Sequence, residues 1–127
     1  MRRCVLSLAM VLVSAAAASA TTYVIRPDGS GDFPTIQAAI DAVSDSATIE
    51  LADGIFLGAG NRDLDFLGKR IVLRSQGGLA DSCIIDCAET SGRDSGVARR
   101  GFYFQHNEGP DCIVEAVTVR NGSATGD

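Results

Sequence analysis

Two aspartates spaced two apart, Asp63 and Asp65 in the stretch RDLDF, form the clearest cation-ligand pattern in the sequence. On an extended strand, residues two apart share a face, so both carboxylates would project together while Leu64 and Phe66 take the other side. Paired carboxylate oxygens suit a hard cation such as calcium. The plainer reading, which the sequence favours, is a solvated outer face opposite an apolar pair, and Asp86 and Glu115 read the same way. His106, in FQHNEGP, is the only histidine. A general base needs an orienting partner and a pocket, and the local sequence displays neither, so His106 reads as a turn residue after Phe102–Phe104. Arg74 and Arg120 would bind an anion if one lay above the other; two exposed arginines at separate corners is the simpler account. Asn121-Gly122-Ser123 fits a glycosylation acceptor, but it first reads as the corner that ends a strand.

The cysteines leave their chemistry open. Cys4 falls in an export segment, which leaves Cys83, Cys87 and Cys112. Cys83 and Cys87 bracket CIIDC and, on a strand, would stand roughly 13 Å apart, beyond disulfide reach. A bridge would therefore have to involve Cys112, and Cys83–Cys112 is the candidate pair. Small buried core residues are the equal alternative. With no C-x-x-C and one histidine, the zinc spacings are not met. No cofactor is identified beyond the calcium candidates.

The export segment is residues 1–20: Arg2 and Arg3, an apolar run from Val5 to Ala17, then Ala18-Ser19-Ala20 as a small-residue cleavage site. The run is too short to anchor the chain in a membrane. The mature chain is expected to start at Thr21, as one domain over 21–127, secreted to the periplasm, the cell surface or the medium. Losing Arg2 and Arg3 moves the net charge from −5 to −7. That sign excludes nucleic acid as a natural partner and disfavours polyanionic polysaccharide. The one basic stretch, Arg93, Arg99 and Arg100 in SGRDSGVARRG, reads as a solvated loop.

The elements that must position these residues begin with TTYVIRP, a short strand closed by the turn Pro27-Asp28-Gly29. Pro34 suits a first helical turn, and Asp32 or Thr35 can cap it. Ile36, Ala39, Ile40 and Val43 then mark one apolar stripe, with Gln37, Asp41 and Ser44 facing away. After Val43 the period changes to two: ATIEL, LDF, RIVLRS, CIID, GFYF and CIVEAVTVRNG alternate between turns rich in Gly, Ser and Asp. Three internal matches run through them. Ile71, Leu73 and Arg74 align with Val117, Val119 and Arg120. Leu64 and Phe66 align with Phe102 and Phe104. Cys83, Ile84 and Asp86 align with Cys112, Ile113 and Glu115, the three offsets being 46, 38 and 29. Like residues stacking on like, over coils of unequal length, predict an all-β fold: a right-handed parallel β-helix, or solenoid, of about three coils. The helix over 34–43 would be its amino-terminal cap, covering an otherwise bare sheet end.

DGSGDFPTIQAAIDAV, followed by TIELADGIF, resembles the entry of the pectin-lyase-like right-handed parallel β-helix proteins. It is especially similar to the amino-terminal pattern of pectin methylesterases, D-G-S-G-D-F/Y-x-T-I/V-Q-x-A-I/V-D-A. The likeness covers residues 24–56. It implies the β-helix and, in its esterase members, catalysis by two aspartates with glutamines and an arginine; in its lyases it implies calcium held by acidic clusters. No residue here matches those catalytic motifs, so none is assigned. The closing run NGSATGD has no capping pattern, and the chain is expected to be the amino-terminal piece of a longer protein. The expected function is an exported module, without catalytic residues of its own, that contacts extracellular carbohydrate or serves structurally. The alternative is the first part of a pectin methylesterase or polysaccharide lyase. Self-association through an open carboxy-terminal sheet edge is a third expectation.

Overall fold

A computed structural model describes residues 21–88 and 99–123; the export segment and Arg93 lie outside the described residues. Among the described residues there are nine short strands: β1 (Thr22–Ile25), β2 (Thr48–Leu51), β3 (Gly54–Phe56), β4 (Leu64–Asp65), β5 (Val72–Ser75), β6 (Cys83–Asp86), β7 (Phe102–Tyr103), β8 (Ile113–Glu115) and β9 (Thr118–Arg120). One α-helix, α1 (Ile36–Ala42), and a 3-10 turn at Ala80–Ser82 complete the order.

The described strands fall into three separate sheets, four-stranded β1-β2-β5-β8, three-stranded β3-β6-β9 and two-stranded β4-β7, and all their pairings are parallel; one antiparallel bridge, Arg99 with Ser123, lies outside them. The expected all-β right-handed β-helix of about three coils is thereby corrected to three small parallel sheets with a helix. The reason lies in the registers. Leu64 does pair with Phe102, as the offset of 38 required. The other two matches fail: Ile71 lies next to Cys112, whose successor Ile113 donates its amide to the Ile71 carbonyl, and Cys83 pairs with Gly54. Two of the three likenesses therefore join residues that are not neighbours. The run CIVEAVTVRNG, read as one strand, breaks at Ala116, where φ is +56°. That turn sends β8 to the first sheet and β9 to the second.

Alternation supplies the core. Ile49 and Leu51 of β2, Leu73 of β5 and Ile85 of β6 point inward with Ile25, Phe56, Leu64 and Phe66, all fully buried. Each such side chain contributes about 1.5–3 kcal/mol of burial. The stripe Ile36, Ala39, Ile40 and Val43 closes on this core as its spacing predicts.

The helix is held by side chains and turns from outside it. Thr35, not Asp32, is the N-cap, with its hydroxyl accepting from the Ala38 amide at 3.2 Å. Pro34 therefore precedes the cap and does not open the first turn. Asn61 Oδ1 accepts from the Ile36 amide at 3.0 Å and the Gly60 carbonyl from the Gln37 amide at 2.8 Å. At the other end Lys69 donates through Nζ to the carbonyls of Ile40, Asp41 and Val43 at 2.7, 3.0 and 2.9 Å. Asp32 instead serves β1, taking the Val24 amide on its carboxylate and giving its own amide to the Val24 carbonyl, both at 2.7 Å.

Replacing Lys69 with Met should lower the unfolding free energy by about 2 kcal/mol, the scale of hydrogen bonds from a charged donor. Urea melts should show this. Arg70→Ala removes only an exposed ion pair with Asp45 at 3.8 Å and should cost less than about 1 kcal/mol. Equal losses in the two variants would rule out the clamp.

Candidate functional site

Gln37 was expected to face solvent, and the structure corrects that. Its side-chain amide lies along β4, with Nε2 donating to the Asp65 carbonyl at 3.0 Å and Oε1 accepting the Asp65 amide at 2.9 Å. A glutamine on the helix thus takes the place of a neighbouring strand. On its other edge β4 pairs with β7, Leu64 with Phe102 and Asp65 with Tyr103. This fixes the Asp65 backbone from both sides and leaves its carboxylate to face the chain that follows β7.

That chain delivers a polar cluster. Asp65 Oδ1 lies 3.0 Å from His106 Nδ1 and accepts the Leu67 amide at 2.9 Å, while Oδ2 accepts from Gln105 Nε2 at 2.9 Å. Glu108 Oε2 accepts the His106 amide at 2.9 Å and Oε1 the Gly68 amide at 3.2 Å. The turn at 106–109 is thereby fastened to the turn at 66–69. The backbones come so close that a Cβ on Gly68, whose φ is +74°, would stand 2.8 Å from the His106 carbonyl oxygen. Asp65, His106 and Glu108 each place one ligand-type atom within 4.8 Å of the others.

The electrostatics follow from these contacts. Partial desolvation pushes the Asp65 carboxyl up, but the bonds from Gln105, the Leu67 amide and His106 outweigh it and hold the group below the ordinary carboxylate value. Glu108 is lowered in the same way, with desolvation opposed by backbone amides and His106. Next to these residues in sequence, Phe66, Phe102 and Phe104 stack with centroids 5.5–6.1 Å apart. Phe66 is buried and Phe104 is 57% exposed, so this aromatic group runs from core to surface.

The sequence candidates are sorted differently. Asp63 and Asp65 do not act as a pair. Asp63 lies outside β4 at φ +51° and spends its carboxylate on the Arg100 amide at 2.7 Å and Arg99 at 3.7 Å. Cys83 sits in the second sheet and Cys112 beside the first, and all three described cysteines are free thiols. Burial pushes the Cys83 thiol up to about 11, with Asp53 adding to the shift, and raises Cys87 and Cys112 as well, which suits core residues. Arg74 and Arg120 occupy different sheets, each with a carboxylate of its own: Glu50 at 3.3 Å and Asp86 at 2.8 Å. Asp86 is buried, not solvated, and also accepts from Asn121 and the Ala88 amide. An open depression of about 420 Å³ between Arg26–Asp28 and Ala52–Gly54 gathers no comparable cluster.

Nothing in the local sequence marks Gln37, Gln105 and Glu108 or gives His106 its partner. The signal that would have found them is the match of Leu64 to Phe102. It sets Asp65 opposite Tyr103, two residues before Gln105 and three before His106. The chain matches no family model, no curated protein and no solved structure. Among the described residues no helix is long and apolar enough to cross a membrane.

The bonds from Asn121, the Ala88 amide and Arg120 bring the Asp86 carboxyl down to about 2 from an ordinary 3.8. A carboxylate more acidic folded than unfolded stabilises the fold above its unfolded pKa. That contribution is lost as pH falls from about 4 towards 2. Asp65 acts with the same sign. Urea melts across this range should show a steep loss for the wild type and a shallower one for Asp86→Asn. Identical pH dependence would refute this account of Asp86.

Proposed function

We propose that the mature chain is an exported binding module that contacts extracellular polysaccharide through the surface around Phe104, Gln105, His106 and Asp65. The observation that carries the reading is the exposed Phe104 ring, backed by Phe66 and Phe102 and followed in the chain by Gln105 and His106, both bonded to the Asp65 carboxylate. An apolar ring beside fixed polar groups is the arrangement that a sugar needs, since a pyranose has one C–H face and a rim of hydroxyls. The ring is ordered before any ligand arrives, which reduces the entropy cost of binding. The acidic balance of the chain directs the proposal to neutral glycans over polyanionic ones. The resemblance of residues 24–56 to proteins that act on plant polysaccharide supports the same class by analogy only.

Affinity electrophoresis through neutral glucans, xylans and galactans, with pectate as the polyanionic comparison, tests this. Phe104→Ala should weaken retardation about tenfold, or 1.4 kcal/mol, while circular dichroism stays native. Failure of every glycan to retard the protein, or full retention of binding by Phe104→Ala, would overturn the reading.

A second reading, self-association, is favoured by a separate observation. Strands β7, β8 and β9 each end a sheet, and Ile113 and Val119 on two of them are about 40% exposed. Terminal strands with apolar side chains are templates for pairing with another chain. Sedimentation velocity should then show a concentration-dependent dimer that Val119→Lys abolishes. A monomer across about 1–100 μM, well above the micromolar affinities of weak complexes, would rule it out.

A further inference from the structure

We propose that Asp65, His106 and Glu108 form a binding site for a divalent transition-metal ion of the zinc type. The proposal goes beyond glycan binding and does not depend on it. The geometry supplies three donors from two segments of the chain, an imidazole nitrogen and two carboxylate oxygens, all within 4.8 Å of one another. Zinc holds such donors at about 2.0–2.2 Å, which sets them roughly 3–3.5 Å apart, so small side-chain rotations close the set around an ion. Imidazole with carboxylate selects a borderline transition ion over calcium or magnesium, which prefer all-oxygen shells.

The charges around the site are compatible with a cation. Two carboxylates are gathered here, yet among the described residues no arginine or lysine lies within ion-pair distance of Asp65 or Glu108. Lys69, the neighbour in sequence, has its ammonium on the helix carbonyls. A cation held between the two carboxylates would therefore meet no competing basic side chain among the described residues. His106 Nδ1 and Asp65 Oδ1 already stand 3.0 Å apart, close to the separation of two donors on one ion. With the ring hydrogen on Nδ1 the contact is a hydrogen bond to Asp65; with it on Nε2, the Nδ1 lone pair faces the carboxylate and is free to share a metal ion with it. Each carboxylate oxygen that accepts an amide still has a second lone pair for a metal. The outer bonds from Gln105, Leu67 and Gly68 fix how the ligands are presented, as second-shell partners do in metal sites.

The site would be three-coordinate from the protein, with a further position on the exposed side of His106 open to water or a ligand.

The experiment is calorimetric titration of the mature chain with zinc chloride alone, in the absence of glycan. One site per chain at micromolar affinity is expected, weakened at least about tenfold by His106→Ala and by Glu108→Gln. The triple variant Cys83→Ser, Cys87→Ser and Cys112→Ser should bind as the wild type does. Where that variant fails to fold, cobalt substitution decides, because an N/O site gives visible d–d bands without a thiolate charge-transfer band. No binding at about 1 mM zinc, undiminished binding by His106→Ala, or a thiolate band with cobalt would each overturn the site. Glycan binding by a chain that takes up no zinc would overturn this proposal and leave the previous one standing.

Discussion

A seven-residue helix has no stability of its own in water, since nucleation costs more than two turns of hydrogen bonds return. The three sheets nevertheless depend on α1, because its apolar stripe closes the core at Ile36, Ala39 and Ile40. The interaction that makes this workable is the clamp on both helix ends. Thr35, Asn61 and Gly60 take the first amides, and Lys69 takes the last carbonyls. Three of the four partners come from more than twenty residues downstream or act across the core. The helix therefore forms together with the sheets.

One consequence runs directly to the polar cluster. Because α1 is fixed at both ends, Gln37 is fixed, and with it the backbone of Asp65. Asp65 in turn sets where β7 lies and where Gln105 and His106 emerge. A strand of two residues is too short to hold a side chain in place by ladder bonds alone. Here the helix amide on one edge and β7 on the other do so together. The exposed cluster is thus positioned from the helix, and the Phe66–Phe102–Phe104 stack joins β7 to the core.

How much of this was legible in the sequence depends on the range of the interaction. The stripe Ile36, Ala39, Ile40 and Val43 and the alternation of Ile49 and Leu51 were readable because burial imposes a local period on them. The pairing of Leu64 with Phe102 was readable because two aromatic–apolar strings match. The solenoid was over-read from two similar strings, around Val117 and around Cys112. Their resemblance reflects only that apolar-x-apolar suits any half-buried strand. Ala116 misled in the same way, since nothing in its side chain announces a left-handed backbone. Lys69 and Gln37 were invisible for a different reason: each acts on backbone groups about thirty residues away, and such contacts impose no pattern on neighbouring residues. His106 could not be given a partner until the register of β4 and β7 was known.

Lys69 is the only lysine in the sequence. Its amine is occupied by three carbonyls and so is shielded from acylating reagents whenever the end of α1 is closed. The rate at which such a reagent modifies that side chain therefore measures how often a single helix terminus opens. The molecule carries a built-in chemical clock for one local motion, readable by mass spectrometry without an introduced label.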